Sequence, residues 1–293
     1  MQRRGGVPVS FSPPRHDLMS QVSTPSFSQR LRSAARLYGT LIVSPSPHYV
    51  PVVASLGLDF IFIDTEHIPI GREKLAWMCQ AYRAVGLPPI VRITSPDPAE
   101  ACVALDGGAA GVIAPYVETV AEVRGLVGAV KKRPLKGRTL ARHLAGEALE
   151  PALHNYVEER ARARTLIVNI ESGPALAALD EILAVDGLDG VLIGPHDLST
   201  SLGVPEDYEH PLYQEACDTI ITKARARSLG AGVHAVYPKN RLAHEEHWAR
   251  LGANFIIHAA DIILFAEGLR RDLSELKGRL GDLASGQGPK INI

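Results

Sequence analysis

Short apolar segments recur along the chain at intervals that suit alternating strands and helices. Eight of them are nearly continuous in apolar residues, which is typical of strands covered on both faces. They are Gly39–Val43, Phe60–Ile63, Ile90–Ile93, Gly111–Ala114, Leu166–Ile170, Gly190–Ile193, Gly232–Val236 and Phe255–Ile257. Amphipathic segments of helical length lie between them, for example Arg72–Val85, Pro98–Leu105, Thr119–Lys132, Ala175–Val185, Pro211–Leu229 and Lys239–Leu251. The pattern predicts eight parallel strands joined by helical crossovers.

Eight β/α units in a chain of 293 residues favour a closed (β/α)8 barrel of the TIM type. An open, doubly wound sheet is the alternative. It is disfavoured because no GxGxxG follows the first strand and no GxxxxGK[ST] occurs. We predict one barrel domain over residues 36–280 and a flexible tail over 281–293.

The first 35 residues have a different composition from the rest of the chain. They are rich in Ser, Pro and Arg, and Asp17 is their only acidic residue, so they cannot form a core of their own. We predict a disordered extension, with Met19 as an alternative start, or an organellar leader, whose composition is similar.

Charge and hydropathy exclude two classes of partner. The chain carries 31 basic and 32 acidic side chains, and they are interspersed, so there is no basic stripe for nucleic acid. No apolar run approaches the roughly 20 residues that span a bilayer. Cys79, Cys102 and Cys217 are widely spaced and are expected to be reduced thiols. We expect a cytoplasmic protein that binds neither nucleic acid nor membranes.

Ionisable residues follow four of the predicted strands at their C-terminal ends, where barrels place their chemistry. They are Asp64, Glu66 and His67 after the second strand, Arg92 after the third, Glu171 after the fifth, and His196 with Asp197 after the sixth. A single charge at a strand end is usually a solvated rim residue. Charges on four strands indicate a site.

Glu171 and Asp197 follow strands that are neighbours in a barrel, roughly 4.8 Å apart. Each can give an oxygen to a hard divalent cation that keeps other positions for water and substrate. A rim network of salt bridges is the alternative. Ser172 stands in an N-cap position, and the turn through Pro195 and His196 should expose amides that suit a substrate carboxylate.

The motif after the second strand contains a candidate general base. Asp64 and His67 lie close enough in a tight turn for the carboxylate to orient the imidazole, which can then act directly or through one water. Arg92 has the fork geometry that holds a carboxylate or enolate oxygen. The alternatives are a hydrogen-bonded rim histidine and an ion pair of Arg92 with Asp64 or Glu66.

In these motifs the chain resembles the HpcH/HpaI aldolases, metal-dependent pyruvate aldolases of class II. The resemblance extends from about Gly39 to Leu269. Its segments are Phe62-Ile63-Asp64-Thr65-Glu66-His67, Pro89-Ile90-Val91-Arg92, Leu105-Asp106-Gly107-Gly108-Ala109 through Ala114-Pro115, Asn169-Ile170-Glu171-Ser172, and Gly187-Leu188-Asp189-Gly190 through Ser199 with Leu202-Gly203. Together and in this order they form a specific signal.

The resemblance implies a reversible aldol reaction between the enolate of pyruvate or hydroxypyruvate and an aldehyde. It implies that Glu171 and Asp197 bind Mg²⁺ or Mn²⁺, with Co²⁺ or Zn²⁺ as alternatives, that His67 with Asp64 moves the proton, and that Arg92 holds the enolate. Ser172, Pro195 and His196 are expected to contact substrate. The resemblance also implies a homohexamer, a trimer of dimers with a swapped C-terminal helix.

The sequence departs from the family pattern at several positions. Pro134-Leu135-Lys136-Gly137-Arg138-Thr139 is one residue shorter than the usual loop, and Thr65 replaces a common Gly. His196, His234 and His258 replace small or aliphatic residues. We predict that these three histidines form an arc at the barrel mouth that binds the polar tail of the aldehyde. The alternative is that His234 and His258 point into the helical shell.

Three other functions use the same residues. Oxaloacetate decarboxylation, as in a macrophomate synthase-like enzyme, needs the same metal-bound enolate. The citrate-lyase β branch acts on acyl-CoA thioesters, but the segment Asp64-Thr65-Glu66-His67 favours the aldolase branch. A barrel that binds a 2-oxo acid without turnover is disfavoured because the base, the arginine and both carboxylates are present.

The final helical segment, Asp261–Leu276, has more apolar side chains than a terminal helix in water should expose. They are Ile262, Leu264, Phe265, Leu269, Leu273 and Leu276. We therefore predict that this helix contacts another subunit.

Overall fold

The computed structural model describes residues 25–235 and 240–282. Residues 1–24 of the predicted disordered or leader extension (1–35) and residues 283–293 of the predicted tail (281–293) lie outside these ranges, as do the ends of two predicted elements at Val236 and Lys239. In the described part, eight parallel strands close into a barrel in sequence order. The predicted (β/α)8 fold is confirmed.

The strands are short, and most lie within two residues of their predicted bounds. They are β1 Leu37–Leu41, β2 Ile61–Asp64, β3 Pro89–Arg92, β4 Gly111–Ala114, β5 Thr165–Asn169, β6 Gly190–Ile193, β7 Gly230–Ala235 and β8 Phe255–Ala260. The register pairs Asp64 with Arg92 across β2 and β3, and Asn169 with Leu192 across β5 and β6. It therefore brings the predicted polar residues to one end of the barrel.

Alternation along each strand divides the core into two layers. Side chains that point inward fill the barrel, including Leu41, Phe62, Ile90, Ile167 and Leu192. Side chains at the intervening positions pack under the helices and form the larger outer core. The barrel interior is thus a packed layer of branched and aromatic residues below the mouth, as is usual for this fold.

Thirteen helices surround the described strands. They are α1 Phe27–Arg32, α2 Tyr49–Ala54, α3 Arg72–Ala84, α4 Pro98–Asp106, α5 Val120–Lys131, α6 Gly137–Leu144, α7 Pro151–Ala161, α8 Gly173–Ala177, α9 Leu179–Leu183, α10 Pro195–Ser201, α11 Pro211–Ala226, α12 Arg241–Leu251 and α13 Asp261–Leu280. The predicted Ala175–Val185 helix is divided into α8 and α9 near Ala178. The crossover between β4 and β5 holds two further helices, α6 and α7.

The bottom of the barrel is closed by α1, which moves the domain boundary predicted at residue 36. Ser26 caps this helix in a capping box with Gln29. The Phe27 ring lies 5.5 Å from that of Phe60, and Leu31 is fully buried. The segment from Ser26 to residue 35 therefore belongs to the barrel domain, because its two apolar side chains cover the open lower end.

No helix within residues 25–235 and 240–282 is both long enough and apolar enough to cross a membrane.

Candidate active site

Asp64 and Arg92 form a buried ion pair where β2 and β3 end. Nε and Nη2 of Arg92 donate to the two carboxylate oxygens of Asp64 over 2.9 and 2.6 Å. Burial by itself would raise the pKa of Asp64, but the hydrogen bonds and charge of Arg92 hold it below its usual value. Thus the ion pair considered for Arg92 is present.

Glu66 and His67 lie beside this pair. Nε of Arg92 is 3.0 Å from Oε2 of Glu66, but the single proton on this nitrogen is directed to Asp64. The buried Oε2 of Glu66 therefore has no hydrogen-bond donor. Nε2 of His67 is 3.6 Å from Oε1 of Glu66, and the side chain of His67 is 45% exposed. The predicted pairing of His67 with Asp64 is wrong, because Arg92 and the amide of Glu66 occupy the oxygens of Asp64.

Glu171 extends inward from the end of β5 and is buried. Its carboxylate accepts hydrogen bonds from the amide of Tyr116 and the side-chain Nδ2 of Asn169, both over 2.7 Å. A Cβ at Gly194 would overlap this carboxylate, so only glycine leaves room for it there. Burial raises the pKa of Glu171 to about 7, and the negative charges of Asp197 and Glu66 contribute. A cation would relieve this accumulation of charge.

Tyr116 connects the two halves of the site. It follows β4 with a φ of 56°, a left-handed conformation that is unfavourable for a bulky residue. Its amide donates to Glu171 and its phenol hydroxyl donates to Glu66, which raises the pKa of the phenol. The sequence prediction missed this residue, although its position just after a strand was a usable signal.

A cleft of about 60 Å³ opens between these side chains and the first turn of α10. It is lined by Asp64, His67, Arg92, Pro195, His196, Asp197 and His234, together with Leu41, Leu192, Ile193 and Gly194. Pro195 and His196 therefore lie where they were predicted. Ser172 caps α8 as predicted, but its hydroxyl donates to Glu118 over 2.6 Å, which leaves no hydroxyl proton for a substrate.

The predicted arc of three histidines is wrong as a set. His196 is exposed at the mouth, with 63% of its side chain accessible. His234 points into the barrel and is buried. His258 points outward, and its Nδ1 contacts the Glu245 carboxylate of α12 at 2.9 Å. The strand alternation separates them, because β7 presents His234 inward while β8 presents its odd-numbered residues, such as Ile257, to the barrel interior.

The donor set at the mouth fits a hard divalent cation. Within the described ranges no group of three or more His, Cys, Asp or Glu side chains is arranged to hold a metal. Glu171 and Asp197 interact electrostatically and are two carboxylates that could share one cation. Asn169 Oδ1, beside Glu171, is buried without a hydrogen-bond partner. Oxygen ligands of this kind, completed by water and substrate, suit Mg²⁺ and Mn²⁺.

A family model for the HpcH/HpaI aldolase/citrate lyase family matches residues 38–267. The chain belongs to this family. The 2-keto-3-deoxy-L-rhamnonate aldolase of Klebsiella pneumoniae subsp. pneumoniae is 33% identical over 259 residues, which cover 88% of this chain and 96% of that enzyme. These two likenesses confirm the predicted resemblance and identify the chain as an aldolase, a carbon–carbon lyase.

Solved structures agree on the fold. Citrate synthase SbnG has a TM-score of 0.74 at 28% identity, covering 88% of this chain and 99% of that one. Macrophomate synthase has a TM-score of 0.71 at 24% identity, with coverages of 87% and 90%. The citrate lyase β subunit of M. tuberculosis, solved with oxaloacetate and magnesium, has a TM-score of 0.50 at 19% identity, with coverages of 78% and 94%. The last two show the barrel alone.

Proposed function

We propose that this aldolase uses a divalent cation and the enolate of a pyruvate-type 2-oxo acid, which it joins to an aldehyde reversibly. One observation carries the proposal. One cleft is lined by the buried Asp64–Arg92 ion pair, by His67 and by Asp197. The negative charge of Asp197 also contributes to the raised pKa of the buried Glu171. The site therefore offers a base, an oxyanion holder and two hard ligands within one small volume.

Glu171 and Asp197 would hold the cation. When bound, a divalent cation polarises the oxo group and carboxylate of the substrate as a Lewis acid. Gly194 keeps the position of Glu171 open, and the amide of Tyr116 with the side chain of Asn169 fixes the direction of its carboxylate. Calorimetric titration with Mg²⁺, Mn²⁺, Co²⁺ and Zn²⁺ would identify the preferred ion.

Arg92 would stabilise the enolate. Its Nε–Nη2 edge is held by Asp64, so the Nη1 side of the guanidinium can face the oxygen on C2 of the substrate. Phe62 supports the guanidinium, whose central carbon lies 5.6 Å from the ring centroid. A fixed cation in a buried site needs little reorganisation when negative charge develops on that oxygen, which is why such groups lower barriers effectively.

His67 would move the protons. It takes a proton from C3 of the 2-oxo acid, the C–H electron pair becomes the C2–C3 double bond, and the carbonyl electrons move to the oxygen held by Arg92. The enolate carbon then forms a bond to the aldehyde carbon, and the aldehyde oxygen takes up a proton from the imidazolium. Cleavage follows the reverse order. His67 is suited to this role because it is the exposed imidazole next to Arg92 and Asp64.

Two assays test this function. The purified chain with Mg²⁺ or Mn²⁺ should exchange the methyl protons of pyruvate for deuterium, observed by NMR, and should form adducts with an aldehyde panel, observed by mass spectrometry. If neither deuterium exchange nor aldol adducts were observed with any of the metals, the proposal would be contradicted. An oxaloacetate arm covers the alternative: rapid release of CO2 without aldol adducts from pyruvate would favour the decarboxylase.

We further propose a homo-oligomer, a hexamer built as a trimer of dimers, with α13 at the interface. In the single chain this helix exposes apolar side chains that no described segment covers: Ile262, Leu264, Phe265, Leu269, Leu273, Leu276 and Leu280. Phe265 is 63% exposed. A continuous apolar face of this size on a 20-residue helix is typical of a subunit contact.

A further inference from the structure

His234 is a buried imidazole within the cleft that the proposed reaction leaves unused. It lies on β7, is 7% exposed and lines the same cavity as Arg92, Asp64 and His67. Its ring meets the Phe62 ring edge-on, with centroids 5.2 Å apart. The Arg92 guanidinium also packs on the Phe62 ring, so His234 and Arg92, the residue proposed to stabilise the enolate, contact the same side chain.

The tautomer of His234 follows from its neighbour. Nε2 lies 3.3 Å from the carbonyl oxygen of Ala259, which can only accept, so Nε2 carries the proton. Burial and the nearby charge of Arg92 lower the pKa of His234 to about 4, which keeps the ring neutral. Nδ1 therefore carries a lone pair, and it is the ring nitrogen that remains for a ligand in the cleft.

The part of the substrate nearest to this lone pair is identified by the charges around it. His234 interacts electrostatically with Arg92, Asp64 and His67, the groups proposed to act at C2 and C3 of the donor. Glu171, one of the two proposed cation ligands, follows β5, two strands before β7, and does not line this cavity, whereas Asp197 does. A substituent on C3, between the base and the arginine, is thus the donor group that a lone pair on this side of the cleft can meet.

We infer that His234 is a specificity-determining residue whose Nδ1 accepts a hydrogen bond from a hydroxyl on C3 of the donor, so that the preferred donor class is the 3-hydroxy-2-oxo acids, with hydroxypyruvate as the simplest member. This inference rests on the proposed function. A donor with a hydrogen or a methyl group at C3 leaves the buried acceptor without a partner, and sites of this kind discriminate strongly against such analogues.

The test compares three donors that differ only at C3: pyruvate, hydroxypyruvate and 2-oxobutyrate, in which a methyl group replaces the hydroxyl. The measurement is kcat/KM for deuterium exchange at C3 with saturating Mg²⁺. The wild-type chain should favour hydroxypyruvate over 2-oxobutyrate by at least about 10-fold. His234→Leu should lower the value for hydroxypyruvate by about 10- to 100-fold, change pyruvate by less than about 3-fold and raise 2-oxobutyrate.

Two further variants separate specificity from structure. His234→Asn, whose amide oxygen can occupy the position of Nδ1, should restore part of the hydroxypyruvate preference. His258→Gln is the control, because His258 lies on the neighbouring strand but faces Glu245 outside the barrel, and its donor preference should equal that of the wild type.

Equal losses for all three donors in His234→Leu would overturn the inference, and so would a wild-type chain without preference for the hydroxylated donor, even if His234→Leu fails to fold. In both cases exchange of pyruvate by the wild type would leave the proposed function intact. Failure of the wild type to exchange any donor would overturn both.

Discussion

Arg92→Lys tests the central pair of the site, because it keeps the positive charge and removes the fork. The side chains of Arg92 and Asp64 are only 8% and 2% exposed, and two hydrogen bonds join them. A lysine ammonium can reach one carboxylate oxygen or the other. Losing one charge-assisted hydrogen bond costs about 1.5–3 kcal/mol, below the roughly 3–5 kcal/mol expected if the cation were removed entirely. We expect the free energy of unfolding to fall by about 1.5–3 kcal/mol.

Activity should fall further than stability alone explains. An ammonium held by Asp64 has no second edge for the enolate oxygen, and loss of one such donor typically lowers kcat by about 10²–10³-fold. The rate of deuterium exchange into the methyl group of pyruvate measures this step directly. Urea unfolding at fixed protein concentration, followed by the fluorescence of Trp77 and Trp248, measures stability.

Arg30→Lys provides a matched control at the other end of the barrel. Arg30 pairs with Asp59, and these side chains are 35% and 24% exposed, so the change should cost less than about 1 kcal/mol. It should not affect exchange, because the pair lies on the bottom face. The reasoning would be refuted if Arg92→Lys exchanged pyruvate protons at the wild-type rate, or if its stability loss equalled that of Arg30→Lys.

Four other outcomes are expected. Chelation should abolish turnover, and Glu171→Gln should weaken Mg²⁺ or Mn²⁺ binding in calorimetry; full activity in chelator would contradict the metal role. His67→Ala should slow exchange by about 10²–10⁴-fold, whereas an unchanged rate would assign the base to another residue. The Asp64 contribution to stability should be present above the usual Asp pKa of about 3.9 and lost as pH falls through its lower folded value; Asp64→Asn should flatten that part of the pH–stability curve. Light scattering at micromolar concentration should give an oligomer, and Phe265→Asp should dissociate it; a wild-type monomer would exclude the interface.

Much of the site could be predicted from residue types at strand ends. Parallel strands that alternate with helices all end at one face of a barrel. That face must therefore carry Asp64, Arg92, Glu171 and Asp197. The loop residue Tyr116 was missed. Its position just after β4 marked it as a candidate, but its role arises from a left-handed backbone and from contacts 50 and 55 residues away in sequence, which that position alone does not reveal.

The sequence by itself determined the eight strands and the type of chemistry at their ends, because the length of each apolar run and the residue identities are local properties. Only the tertiary structure decided the pairings. Asp64 pairs with Arg92 rather than with His67 because the register of β2 and β3 places Asp64 beside Arg92, whose guanidinium donates to both carboxylate oxygens. His234 points into the cleft and His258 points outward, because closure of the barrel sets which face of each strand is interior. The amphipathic helix α1 closes the lower end because Phe27 packs there against Phe60 and Phe255, which lie side by side only once the barrel has formed.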